Sequence, residues 1–551
     1  MNGTRSNAWL VAAGLALLLL WFNALDIRPL FNPDEGRYAE IPREMLAGHD
    51  WVVPHLNGLA YIEKPPLQYW MTAIAYSLFG VSELSARLYM TLTAFGTIIV
   101  VWWAARRLWT RELAARAAVV AASMLLFILL GQWLTLDMSL TFYLTLALCA
   151  FLVAQVHAEQ ERPEDAQRCM LLAWAAAALG VLTKGLVAAV IPAAVLVLHT
   201  LYTRQTAPWR RLNLKCGLPA FALIAVPWHV LAQRRLPDFV DFFLIREHFA
   251  RFMTPVSDRQ EAPWFFAAVY LLGSLPWTIP AVRCAITGWR RNQAGAADGA
   301  FDARVFLWIW SAFVVVFFSV SDSKLIPYIL PAFPALAILI AASRLKALTT
   351  DVARSAALVT AAGVGCIVLA ACLPWLLKSS DRAAYFLPLR QPLYVLAVPL
   401  LVAGSIAWLR RRRDVTVNAA MLGAGWIISV LLLLRAVGVV APLYSGVLLA
   451  KAQSAPPTHQ RVYSVATYDQ TLPFYWRRPV TLVIFRGELD YGLRHDSKSW
   501  IGSLDDFLVR WLQENSAYAV MEPDTFETLR SRGAPMREIA RDAHRILVAR
   551  Q

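Results

Sequence analysis

Charged side chains are few in this sequence: 16% of its 551 residues, against 58% that are hydrophobic. That shortage excludes an ordinary soluble domain, in which roughly a quarter of residues are charged. Cysteine is scarcer still. The six cysteines, Cys149, Cys169, Cys216, Cys284, Cys366 and Cys372, fall in or at the ends of apolar runs without metal-type spacing. They read as small core residues, so neither disulfides nor cysteine chemistry is expected. The first apolar run lacks a small-residue cleavage site and is too long for a removable signal peptide, so it reads as a retained span. No internal repeat or low-complexity tract is present, which weighs against a transporter built from inverted repeats. Nor do the basic residues form one long patch. The net charge is +15, but Lys and Arg are scattered as pairs between apolar runs. That is the topogenic pattern of a membrane protein and not a nucleic-acid footprint.

What is abundant is long apolar sequence. Runs close to the roughly 20 residues that cross a bilayer core recur from Asn7 to about Ala441. Basic clusters lie at Arg106/Arg107/Arg111, Arg204/Arg210/Arg211/Lys215, Arg283/Arg290/Arg291, Arg344/Lys346 and Arg410–Arg413. With all of them cytoplasmic, spans fall at 7–25, 86–105, 114–133, 138–157, 169–183, 186–203, 213–232, 264–282, 304–320, 326–343, 355–377, 391–409 and 417–440. That is thirteen spans, with the N-terminus inside and the C-terminus outside.

The segment 65–80 would break this parity if it crossed the membrane. It is short, and Leu67, Trp70, Met71, Ile74 and Leu78 share one helical face, the pattern of a helix lying in the interface. Residues 26–85 then form one long external loop. After the last span the character changes. Strands are expected at 461–468, 479–485 and 517–523, with helices at 505–515 and 524–533. The expected fold class is a polytopic α-helical membrane domain, 1–450, followed by a small external α/β domain, 451–551, with 451–460 as the nearest candidate for a linker.

On this topology the unusual polar residues gather on the outer side. The first external loop holds Asp34, Glu35, Arg37, Tyr38, Glu63 and Lys64, and the second holds Asp137. The third holds Lys184; the fourth Arg246, Glu247, His248 and Arg251; the fifth Asp322, Lys324 and Tyr328. Ionisable groups at membrane depth are costly and usually mark a substrate path. Acids and bases around one cavity suit a substrate carrying a phosphate together with hydroxyl or amine groups.

The motif NPDEGRY divides by task. Asn32 reads as an N-cap, Pro33 as the first helical position and Glu35 as the capping-box partner. Asp34 has no such task and leads the catalytic candidates. Arg37 fits either a local pair with Asp34 at i, i+3 or a substrate contact. Glu63 and Lys64 read as a surface pair or, given the stiff Pro-Pro turn that follows, as functional residues. Lys184 reads as a snorkelling lysine or as a point charge for a phosphate. Glu63 and His248 offer a minimal metal site, two ligands from distant loops.

The segments PDEGRYAEIPREM, YIEKPPLQYW, TLDMS (135–139), LTKG (182–185), REHFAR and SDSKLIPYILPAFPALA together resemble the GT-C membrane glycosyltransferases. Within them the resemblance is to the branch that holds protein O-mannosyltransferases and the lipid A aminoarabinose transferases. FNPDEGRYAEIPREML, WVVPHLNG and YIEKPPLQYW are the most specific matches to the aminoarabinose transferases. The resemblance implies thirteen spans, interfacial helices in the first loop and a C-terminal periplasmic domain. It implies transfer of 4-amino-4-deoxy-L-arabinose from undecaprenyl phosphate to a lipid A phosphate, with inversion, at the periplasmic face of the bacterial inner membrane. Such a product makes the outer membrane less anionic and resistant to polymyxin-type peptides.

On that reading Asp34, Asp137 and Lys64 are catalytic. Arg37, Tyr38, Tyr61, Glu63, Lys184, Arg246, Arg251, Lys324 and Tyr328 bind substrate. The lipid-linked sugar is the donor and lipid A the acceptor; no cofactor is required, and a divalent ion such as zinc at Glu63 and His248 is an option. A monomer without nucleic acid is expected. The alternatives are a GT-C transferase that moves another sugar to protein or glycan hydroxyls, and a lipid or sugar transporter.

Overall fold

Backbone polar groups have no partner in hydrocarbon, so apolar runs of this length have one solution, the helix. The computed structural model describes residues 16–250, 261–289, 301–378, 383–453, 456, 459–496 and 500–550. Among the described residues eight helices are long and apolar enough to cross a membrane: Glu83–Leu108, Leu136–Glu159, Pro163–Lys184, Leu214–Arg235, Ala303–Val320, Leu345–Leu376, Ala383–Leu409 and Val415–Ala441. Val187–Thr203 and Ile326–Ala341 are shorter apolar helices, and residues 16–23 are helical at the end of the first expected span. Large apolar side chains such as Leu223, Val320, Trp375 and Leu409 are exposed on the helix surfaces. A surface of that kind meets lipid.

Two expected spans are not continuous. The run 114–133 divides into Arg111–Ser123 and Leu125–Leu130, and 264–282 divides into Phe265–Gly273 and Thr278–Thr287. The two breaks meet. The Leu125 N–H donates to the Leu275 carbonyl at 2.8 Å, and Trp277 Nε1 donates to Ser123 Oγ at 2.8 Å. Each interruption satisfies polar groups freed by the other, the condition under which irregular backbone is tolerated at membrane depth. Pro276 was the readable signal for one break; nothing in the apolar run around Met124 announced the other.

The segment expected to lie in the interface is the helix Leu67–Phe79. It buries Gln68, Tyr69, Thr72 and Tyr76 and exposes Ile74, Leu78 and Phe79. Polar residues inside and apolar residues outside are the inverse of a soluble helix, and suit one that rests on acyl chains. Leu67 departs from the expected apolar face and is buried. Ser139 Oγ donates to Gln68 Oε1 at 2.5 Å, and the Tyr76 hydroxyl donates to the Ala39 carbonyl at 3.0 Å. The loop is thereby tied to the helix Leu136–Glu159 beneath it.

A hairpin of β1 (His55–Leu56) and β2 (Leu59–Ala60) belongs to the first loop. The C-terminal sheet has six strands in the order β5-β4-β3-β6-β8-β7. Here β3 is Arg461–Val465, β4 Thr481–Val483, β5 Trp500–Ile501, β6 Ala517–Met521, β7 Met536–Arg541 and β8 Ile546–Arg550. Strands β3 to β6 run parallel, and β8 lies antiparallel to both β6 and β7. The three expected strands are β3, β4 and β6; the sequence reading missed β5, β7 and β8. Strand β7 is an edge strand with exposed Arg537, Glu538 and Arg541, so its composition reads as loop.

The C-terminal region sits directly on the first loop. Asn57 exchanges two hydrogen bonds with the Val480 backbone, at 2.9 and 2.7 Å. The Gln470 N–H donates to Asn32 Oδ1 at 2.9 Å, and Gly36 packs so closely on Gln470 that an added Cβ would lie 2.6 Å from its carbonyl carbon. Neither backbone can give way cheaply. Gly36→Ala is therefore expected to loosen this contact, with a cost of about 1–3 kcal/mol for overpacking, read as a lower unfolding temperature in detergent. An unchanged unfolding temperature would contradict the contact.

Candidate active site

Asp34 and Glu35 begin the helix Asp34–Gly48 and point to different environments. Glu35 is fully buried and accepts six hydrogen bonds: two from Arg28, two from Arg87, and one each from the Phe31 and Leu134 N–H groups. Burial pushes its carboxyl up, yet Arg28 and Arg87 together hold it well below the usual carboxylate range. Arg87 also donates to the Leu25, Arg28 and Pro29 carbonyls, so the triad clamps the end of the first span to the helix Glu83–Leu108. This corrects the capping-box expectation. Pro33 occupies the N-cap position with no side-chain cap bond, while Asn32 Oδ1 accepts from Gln470. Glu35 is structural as expected, but through an ion network that local spacing could not show.

Asp34 is half-exposed. Its nearest cation is Arg37, at 3.7 Å. Arg37 is buried and held from several sides. Its Nε donates to Gln470 Oε1 at 3.0 Å, Nη1 donates to the Tyr61 hydroxyl at 3.4 Å, and Nη2 lies 3.6 Å from Glu488. Tyr61 in turn donates to Glu63 Oε2 at 3.0 Å. Burial pushes the phenols of Tyr61, Tyr38 and Tyr69 well above their ordinary value, so all three stay protonated donors. Besides burial, the carboxylates of Asp34, Asp137 and Glu63 push the Tyr38 phenol further up.

Three members of this cluster were missed from sequence. Tyr69 stacks on Tyr38 at 6.3 Å, and its buried hydroxyl has no hydrogen-bond partner among the described residues. Gln470 and Glu488 come from the C-terminal region. A polar residue more than four hundred positions away leaves no mark on the local pattern of the first loop.

The cations are arranged around the same face. Lys184, at the end of Pro163–Lys184, pairs with Asp137 Oδ1 at 2.5 Å and lies 4.7 Å from the centre of the Tyr328 ring. Three residues expected from separate loops thus form one group. Lys64 donates to the Glu63 carbonyl at 2.9 Å and lies 3.4 Å from Glu247. The local Glu63–Lys64 ion pair is replaced by a pair with the π-helical segment Asp241–Ala250. Arg246 on that segment is exposed, 5.5 Å from the Phe242 ring centre. Lys324 is buried, and among the described residues it is the buried Lys or Arg without an ion-pair partner.

Arg251 and the side chain of His248 lie outside the described residues. Among the described residues no group of three His, Cys, Asp or Glu side chains gathers as a metal centre would require. No step is assigned to a metal.

Comparison with known proteins gives this arrangement its class. Residues 8–243 match the profile of dolichyl-phosphate-mannose-protein mannosyltransferases, and residues 448–550 match the aminoarabinose transferase C-terminal domain. The crystal structure of ArnT from Cupriavidus metallidurans bound to undecaprenyl phosphate superposes with a TM-score of 0.88, at 32% identity over 98% of both chains. Its apo form superposes with a TM-score of 0.87. The protein is a membrane glycosyltransferase of the GT-C fold.

Curated relatives narrow the class. An undecaprenyl phosphate-alpha-4-amino-4-deoxy-L-arabinose arabinosyl transferase of Erwinia tasmaniensis is 31% identical over 90% of this chain and 89% of its own. Another from Aeromonas salmonicida is 34% identical over 60% of this chain, and the match spans 59% of that protein's length. The chain belongs to the aminoarabinose transferase family.

Proposed function

We propose that the protein transfers 4-amino-4-deoxy-L-arabinose from undecaprenyl phosphate to a phosphate of lipid A, at the periplasmic face of the inner membrane. What supports this reading most is the convergence of Asp34, Arg37, Tyr38, Asp137 and Lys184 at one end of the helix bundle. Carboxylates, phenols and cations stand together there, as a sugar phosphate with an amine requires.

The donor's prenyl tail stays in the bilayer while its head sits beneath the first loop. An acceptor oxygen attacks the anomeric carbon from the face opposite the carrier phosphate, and the bond to that phosphate breaks with inversion. The leaving phosphate gains charge, so pre-aimed cations lower the barrier. Lys64, Lys184, Arg246, Arg251 and Lys324 have this role, with Tyr328 as a hydrogen-bond donor. Lys184 and Lys64 are held by Asp137 and Glu247, so a phosphate enters by exchanging with those carboxylates. Lys324 has no such exchange to make.

An acceptor phosphate is already largely ionised near pH 7, with a second pKa of about 6, and needs little help from a base. Asp34 then orients the acceptor, binds the sugar amine or stabilises the cationic anomeric centre. Arg37, Tyr38, Tyr61, Glu63 and Tyr69 shape the sugar pocket, and Gln470 with Glu488 hold Arg37 in place.

Lys64→Ala is expected to lower kcat about 10²-fold or more by removing one charge aimed at the leaving phosphate, with the unfolding temperature nearly unchanged. The assay uses purified protein, polyprenyl-phosphoryl aminoarabinose and lipid A. Near-normal transfer by the variant would reject the assignment. Transfer to a peptide hydroxyl, with none to lipid A, would move the protein to the mannosyltransferase side of the fold.

A further inference from the structure

Among the described residues a second cavity, of about 680 Å³, opens beside the first loop and takes no part in the cluster around Asp34. Its volume is in the range of about 300–1,000 Å³ typical of small-molecule sites. One wall is the turn Asp26–Pro29 after the first span, and a second is Val81–Glu83, where the helix Glu83–Leu108 begins. Gly438 and Ala441, at the end of the helix Val415–Ala441, continue the wall, and residues from Val447 to Lys451 and from Phe474 to Arg477 complete it. All three membrane helices contribute the same end, so the cavity lies at headgroup level on the face that carries the C-terminal sheet.

Its charges are arranged in an unusual way. Asp26, Glu83, Lys451 and Arg477 all line it, and among the described residues none of the four is in an ion pair. Arg28 also reaches the cavity but is committed to Glu35. Tyr475 accepts from the Leu30 N–H at 2.9 Å, and burial together with the Glu83 carboxylate pushes its phenol well above its ordinary value. Two carboxylates and two cations thus line one space without an ion pair between them among the described residues. A purely anionic ligand meets Asp26 and Glu83 unfavourably, and a purely cationic one meets Lys451 and Arg477. A ligand with both signs satisfies all four, and the apolar stretch at Val447–Leu448 and Phe474 suits the ester region behind a headgroup.

We infer that this cavity binds the zwitterionic headgroup of a phosphoethanolamine phospholipid, with its phosphate on Lys451 and Arg477 and its primary ammonium on Asp26 and Glu83. The inference rests on the membrane fold and not on the transfer reading, so either can fail without the other. The bound lipid would lie against the Arg28–Glu35–Arg87 triad and brace the first loop from behind.

The test is native mass spectrometry of the full chain, released from micelles holding equal amounts of phosphoethanolamine, phosphocholine and phosphoglycerol lipids. Several-fold preferential retention of the phosphoethanolamine lipid is expected. The preference should vanish in Asp26→Asn/Arg477→Gln and return in Asp26→Glu/Arg477→Lys. Both positions are exposed and outside the Asp34 cluster, so transfer should persist. If the double variant does not fold, Lys451→Gln, exposed on a short helix, gives the same readout. Equal retention of the three lipids, a preference for phosphoglycerol, or a preference untouched by the substitutions would each overturn the inference.

Discussion

Asp34→Asn is expected to abolish transfer, by about 10²- to 10⁴-fold, while the protein expresses, extracts and unfolds as the parent does. The substitution keeps the shape of the side chain and removes its charge. Asp34 is half-exposed, and its one near cation is 3.7 Å away. With the carboxylate half in solvent and the contact this long, the pair contributes little, and the buried Arg37 keeps Gln470, Tyr61 and Glu488 when it is lost. A large kinetic effect with a small structural one is what separates a group acting on substrate from a group holding the fold. Transfer within a few-fold of the parent would remove Asp34 from the mechanism.

The adjacent carboxylate should behave in the opposite way. Glu35→Gln leaves Arg28 and Arg87 buried against a neutral amide that cannot accept the same six hydrogen bonds. Breaking a buried ion network costs about 3–5 kcal/mol, a large part of the roughly 5–15 kcal/mol that keeps a protein folded. The expected result is low membrane yield and an aggregated extract, seen by size-exclusion chromatography. A monodisperse Glu35→Gln protein with the parental unfolding temperature would contradict it.

The pH dependence follows from the same pair of arginines. They depress the Glu35 carboxyl in the folded state, so its stabilisation is complete above the ordinary carboxylate range near 4–5. It is lost as the pH falls through that range toward the folded value.

The helices were legible because their signal is local. Length and hydropathy placed most of the long apolar helices, and the short amphipathic run at 65–80 forms the separate helix Leu67–Phe79. The break at Met124 was not legible, because it is stabilised by the distant break at Pro276, where only the proline itself could be read. The candidate site divides in the same way. Asp34, Lys64, Asp137 and Lys184 stand out as charges beside apolar runs, where their cost asks for a reason. Gln470, Glu488 and Tyr69 carry no such mark, since polar residues in a mixed segment cost nothing until the fold brings them to Arg37. Glu35 was assigned a structural role by a capping rule that does not operate here; Arg28 and Arg87 supply the reason instead.

The account stands most directly on what is attached to lipid A. Mass spectrometry of lipid A from cells carrying the protein, from cells lacking it and from cells carrying Asp34→Asn gives the answer. Lipid A heavier by one aminopentose in the first strain alone is the predicted result. Lipid A of the same mass in all three would contradict the proposed transfer.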